Sequence, residues 1–141
     1  MRYLVNNLKE TESLAKEFAA SLKVGDVVLL NGDLGAGKTT FTQFAFKELG
    51  VTDVVNSPTF AVVKSYQAKL CTVHHFDCYR VNVEEAIECG FDEILSDRNT
   101  IIFIEWSEMI APLIPKDCIL VNIKQVDQDK REIFIERSGN E

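Results

Sequence analysis

The sequence predicts an α/β fold, a three-layer sandwich around a mixed, mostly parallel sheet. Three observations carry this. The run Val27 to Leu30 is continuously apolar, as suits a strand buried on both faces. It breaks into a glycine-rich stretch, VVLLNGDLGAGKTTFTQFAF over residues 27 to 46, and the apolar residues then resume at helical spacing. Further along, several short β-like segments alternate with helical patterns.

In chain order, Thr11 can cap a helix that runs to Leu22, because Leu14, Ala15, Phe18, Ala19 and Leu22 fall on one stripe. Gly25-Asp26 makes a turn before the first strand. A helix from about Lys38 to Leu49 turns Phe41, Phe44, Ala45 and Leu49 inward, and Gly50 ends it. Strands are then predicted over Asp53 to Asn56, Phe60 to Tyr66, Cys71 to Phe76, Thr100 to Glu105, Ile119 to Ile123 and Glu132 to Glu136. A turn near Gln67-Ala68 joins two of them, so part of the sheet is antiparallel. A shorter helix covers Val83 to Cys89, with Gly90 as its stop.

The bulk properties narrow the function. At 141 residues the chain reads as one domain, 1–141, with a flexible polar tail from about 137. A formal charge of -7, with 15 scattered basic residues, argues against a free-standing nucleic-acid binder, which needs a concentrated positive face. Cys71, Cys78, Cys89 and Cys118 lack metal or redox spacing and read as four buried, reduced thiols. Neither a signal sequence nor a run near the ~20 apolar residues of a membrane span is evident, so a cytoplasmic location with no membrane partner is expected.

Gly32-Asp33-Leu34-Gly35-Ala36-Gly37-Lys38-Thr39 fits G-x-x-x-x-G-K-[ST] in full, between a predicted strand and a predicted helix. Glycines let backbone N–H groups turn around an anion, and the following helix offers its positive end. Lys38 would reach the β- and γ-phosphates, and the Thr39 hydroxyl would ligate Mg²⁺. A chance match in a chain of this length has odds of about half a per cent. The fold is therefore of the P-loop NTPase type.

A P-loop binds nucleotide but needs a metal-directing carboxylate and a group that senses the γ-phosphate. Thr100 to Glu105 is an apolar strand ending in one acid, the arrangement of a Walker-B carboxylate, and Asp77 closes another strand in the same manner. An acid at a strand end is otherwise simply solvated. Ser57-Pro58-Thr59 lies where a loop could place a hydroxyl on Mg²⁺ or phosphate, or it is only a proline-bent strand start. His74 and His75 point to opposite faces of a strand, so they make a poor metal pair and one of them belongs to the core.

Four motifs, GDLGAGKTT at Gly32 to Thr40, SPTF at Ser57 to Phe60, H-x-D-x-Y-R at His75 to Arg80 and IEW at Ile104 to Trp106, together resemble the TsaE family in order and spacing. The resemblance extends from about Thr11 to Ile135, and is loose between Arg80 and Thr100. It implies a small bacterial ATPase, with ATP and Mg²⁺ as cofactors, required for threonylcarbamoyladenosine formation on tRNA. The implied partners are a metal-dependent threonylcarbamoyl transferase subunit and its inactive paralogue, with tRNA reached only through them. Carried over by position, Leu34, Gly35, Ala36, Gly37, Lys38, Thr39 and Thr40 would hold the phosphates, and Thr39 and Glu105 the metal. Thr59 would be switch-like, and Asp77 would support hydrolysis.

Trp106, the only tryptophan, follows Glu105 at the same sheet edge and is expected to sense nucleotide. Two rival classes remain, a small-molecule kinase and a nucleotide-binding scaffold that does not hydrolyse. A kinase usually closes a basic lid over the phosphate, whereas Arg2, Arg80, Arg98, Arg131 and Arg137 form no cluster. A GTPase is excluded by the lack of an N-K-x-D segment.

Overall fold

The computed structural model describes residues 1–32, 37–53, 55 and 63–138. Seven strands form one sheet: β1 (Arg2–Val5), β2 (Val27–Gly32), β3 (Val63–Gln67), β4 (Thr72–Asp77), β5 (Thr100–Glu105), β6 (Cys118–Gln125) and β7 (Arg131–Ser138). Their order across the sheet is β1-β7-β6-β2-β5-β4-β3. β6, β2, β5 and β4 run parallel, while β7 and β3 run against them and β1 runs against β7. The mixed, mostly parallel sheet read from the sequence is the one observed.

Helices cover both faces. α1 (Leu8–Ala20) and α2 (Lys38–Glu48) close one core around Phe18, Phe41, Phe46 and Phe103. α3 (Val83–Glu88), α4 (Phe91–Ser96) and a 3-10 segment, Ser107–Leu113, close the other around Phe76, Phe91, Ile102, Ile104 and Ile110. β5 shows why the strand is continuously apolar: Ile101 and Phe103 enter the first core, Ile102 and Ile104 the second, and all six of its residues are buried. Among the described residues no helix is long and apolar enough to cross a membrane.

Several boundaries differ from the sequence reading. α1 begins a turn earlier than expected, because Asn7 and not Thr11 is its cap: the Asn7 side chain accepts from the Glu10 N–H at 2.9 Å, and Thr11 is buried inside the helix. Asp53 and Val55 belong to no strand; the Val55 carbonyl accepts from the Gln43 amide at 2.7 Å instead of joining a ladder. The rest of that segment, and the start of the strand expected from Phe60, lie outside the described residues. β1 and α4 were not read from the sequence at all. Gly90, with φ +84°, ends α3 and also starts α4, where Phe91 packs on Phe76 at 4.2 Å between ring centroids. Only Cys78 and Cys118 are buried; Cys71 is half-buried and Cys89 exposed.

The β6-β2-β5-β4 strands all point their C-terminal ends at one edge. From β2 the chain leaves toward β4 through α2 on one face, and from β5 it crosses back to β6 through Ser107–Leu113 on the other. The crevice beside β2 is where such sheets bind ligands.

Candidate nucleotide site

α2 and α4 both start at an uncapped glycine, and α2 differs in having no acid in its first turn. Asn7 and Asn82 cap α1 and α3 with their side chains, but α2 has Gly37 at its N-cap, no side-chain cap and no acid in its first turn. Gly37 has φ +106°, a left-handed conformation that favours glycine. Among the described residues, a Cβ there would come nearest to the Arg131 guanidinium, at 3.7 Å. A helix start of this kind suits an anion.

Lys38 opens the helix and is buried to 8 % exposure. Its Nζ lies 3.7 Å from Glu105 Oε1 and 5.0 Å from the centre of the Trp106 ring. Glu105 is 4 % exposed, and its other oxygen, Oε2, is 2.8 Å from His75 Nε2. Asp77 pairs in register with Glu105 on the neighbouring strand. Burial pushes the Asp77 carboxyl above its ordinary value and the Glu105 charge adds to this, while the Tyr79 N–H, His75 and Lys38 pull the other way.

The backbone turns sharply just past both acids. Arg80 and Trp106 have φ +68° and +60°, and among the described residues they are the non-glycine residues with positive φ. Such conformations cost about 1–3 kcal/mol each and cluster at functional sites. They stack the side chains outward: Trp106 on Tyr79 at 4.9 Å, and the Arg80 guanidinium 5.2 Å from the Tyr79 ring centre. Cys78, between the acids and this stack, is held inert, because burial aided by Asp77 and Glu108 pushes its thiol up to about 12.

Two cavities flank Lys38. One of about 680 Å³ lies between the ends of β2 and β6 and the Ser107–Leu113 segment, with Lys38 and Trp106 in its wall. A smaller one of about 160 Å³ touches Gly37 and Thr40 and is closed by Asn7, Thr11, Gln128 and Arg131.

The structure thus brings Lys38, Asp77, Glu105 and Trp106 to one edge, with Thr39 and Thr40 in the first turn of the same helix. Leu34, Gly35, Ala36 and Thr59 lie outside the described residues. His75 and Tyr79 were not singled out as site residues; the H-x-D-x-Y-R spacing, which places them on either side of Asp77, was the available signal. Arg131 was set aside as unclustered, yet it stands beside Gly37 with its Nη1 donating to the carbonyls of Asp127, Gln128 and Lys130 at 3.3, 3.2 and 3.2 Å.

A buried strand leading through glycine into an uncapped helix, at the switch point of a mixed sheet, places the chain in the P-loop class of α/β proteins. The chain belongs to the TsaE family: the model of "Threonylcarbamoyl adenosine biosynthesis protein TsaE" matches residues 5–133. It is 39% identical over 140 residues to the tRNA threonylcarbamoyladenosine biosynthesis protein TsaE of Bacillus subtilis, covering 99% of this chain and 87% of that one. The TsaE protein of Rickettsia bellii is 45% identical over 130 residues, covering 91% and 89%. The crystal structure of YdiB from Bacillus subtilis superposes with a TM-score of 0.83 at 35% identity, over 99% of this chain and 86% of that one.

Proposed function

We propose that this protein is a Mg²⁺-dependent ATPase that supports turnover of the complex attaching threonylcarbamoyl to the tRNA adenosine next to the anticodon. In this reading it acts in the cytoplasm and binds the transferase subunit and its inactive paralogue, reaching tRNA only through them. The observation that carries the reading is the buried Lys38, set at the head of an uncapped helix and 3.7 Å from a strand-end carboxylate. A buried cation paired with one carboxylate at an uncapped helix start makes a setting that suits a phosphate.

The residues fit a magnesium ion. Glu105 Oε1 faces Lys38 beyond hydrogen-bond length, so it retains acceptor capacity, and Thr39 adds a hydroxyl from the first turn of α2. Among the described residues no three acidic, histidine or cysteine side chains gather around a point, so an ion here takes the rest of its shell from phosphate and water. Bound Mg²⁺ would supply charge neutralisation between the β- and γ-phosphates. In this reading the stretch Leu34 to Thr40 would hold the phosphates, with Lys38 supplying the positive charge for the outer two, and Trp106 would sense the nucleotide. Asp77, a carboxyl pushed up by burial, accepts a hydrogen bond from the attacking water, and Thr59 responds to the γ-phosphate.

The test is Lys38→Ala. Hydrolysis of ATP, read as phosphate release, is expected to fall by about 100-fold or more, with weakened ATP binding, because a preorganised charge is lost. A variant that is folded by circular dichroism and hydrolyses at the parental rate would overturn the reading. GTP run in parallel is expected to be a poor substrate.

A further inference from the structure

We propose that His75 is a positioning residue for Glu105, holding one carboxylate oxygen so that the other is presented to the phosphate side of the site. The proposal rests on the magnesium-ATPase reading above. His75 is 0 % exposed, and its Nε2 lies 2.8 Å from Glu105 Oε2. In the sheet it pairs with Phe103, two residues before Glu105 on the same face, so the ring reaches diagonally toward the edge where the acid sits. Glu105 Oε1 is left facing Lys38. The carboxylate is thereby divided, one oxygen for the holder and one for the site.

Packing alone does not account for a histidine here. Its edge-on contact with Phe46, at 5.9 Å and 78°, would suit a phenylalanine equally well. Nδ1 is buried and has no hydrogen-bond partner among the described residues, a cost that an apolar ring would avoid. What only the imidazole supplies is an N–H at Nε2 aimed at the acid. A carboxylate can only accept, so the ring proton that matters here is the one on Nε2. Phe46 lies on α2, the helix that begins with Lys38, so His75 also ties the carboxylate to the element carrying the phosphate-binding lysine. Outer partners of this kind set the orientation of a metal-binding carboxylate.

The experiment measures ADP affinity by calorimetry across a Mg²⁺ titration, and again in EDTA, for the parent, His75→Phe and His75→Gln. His75→Phe keeps the packing but removes the donor. It is expected to raise the Mg²⁺ needed for half-maximal tight binding roughly 10- to 100-fold, while the metal-free ADP affinity stays within about twofold. His75→Gln, whose amide can donate to the same oxygen, is expected to recover most of the loss. An unchanged Mg²⁺ requirement in His75→Phe overturns the proposal, and so does an equal loss of metal-free affinity, which would make His75 a packing residue. If the parent itself shows no Mg²⁺ dependence, the underlying ATPase reading fails, and the proposal with it. A measurement on the parent guards against a variant that does not fold. Nitrogen-15 NMR of the ring, with His74→Gln to assign the signals, is expected to show a proton on Nε2; an Nε2 without a proton overturns the assignment.

Discussion

Asp77 is a carboxylate held where burial disfavours its charge. Its Oδ1 accepts from the Tyr79 N–H at 3.1 Å, a bond that asparagine can reproduce. Burial pushes its carboxyl above the ordinary value, so the folded protein holds that proton more tightly than the unfolded chain does. Ionised Asp77 therefore opposes folding above the ordinary carboxylate range, and the penalty disappears as pH falls through the raised value. Asp77→Asn is expected to melt no lower than the parent at pH 7 and to bind nucleotide, yet to lose about 100-fold or more in turnover, the usual worth of a proton-accepting group. Loss of nucleotide binding instead would recast Asp77 as a metal ligand. Trp106 gives a second test at this scale. Phosphates that draw Lys38 off the indole face should change its fluorescence saturably with MgATP or MgADP, and Glu105→Gln should reduce the Mg²⁺-dependent part. Calorimetry showing tight binding beside an unmoved spectrum would remove Trp106 from the site.

At the scale of elements, α2 joins the site to the core. Phe46, fully buried, meets Tyr66, His75 and Phe103 edge-on at 5.6, 5.9 and 4.9 Å between ring centres. Phe46→Ala is expected to cost about 3–5 kcal/mol in denaturant unfolding. A loss under ~1 kcal/mol would mean that the helix is not anchored there. α2 was legible in the sequence because glycine spacing, lysine and apolar periodicity all agree over one stretch. β5 was legible because burial on both faces leaves a continuous apolar run. β1 was not: its four residues bury only Val5, and its ladder comes from β7 at the far end of the chain. α4 was hidden by Gly90, which reads as a stop although Phe91 and Leu95 sit four apart on the buried side. In the site, Lys38, Asp77 and Glu105 could be read because each ends or begins an element. The pairing of His75 with Glu105 could not, since it needs the register of two strands thirty residues apart in the chain.

At the scale of the whole molecule, charge bears on the proposal that this protein works through others. The net charge of -7 disfavours direct tRNA binding, which draws most of its affinity from phosphate contacts. At the site, Lys38 is the cation in contact with Glu105, while Arg80 lies on Tyr79 and Arg131 donates to hairpin carbonyls. If none of these residues serves as a cationic finger, hydrolysis is expected to be slow until a partner completes the site, a gain of about 10³–10⁵ in the best-understood cases. The central claim is therefore tested most directly by phosphate release from MgATP, measured for this protein alone and again with the transferase subunit and its paralogue. Slow release alone, raised severalfold or more by the pair and lost in Lys38→Ala, is the expected result. Rapid release that the pair leaves unchanged, or no release under either condition, would contradict the account.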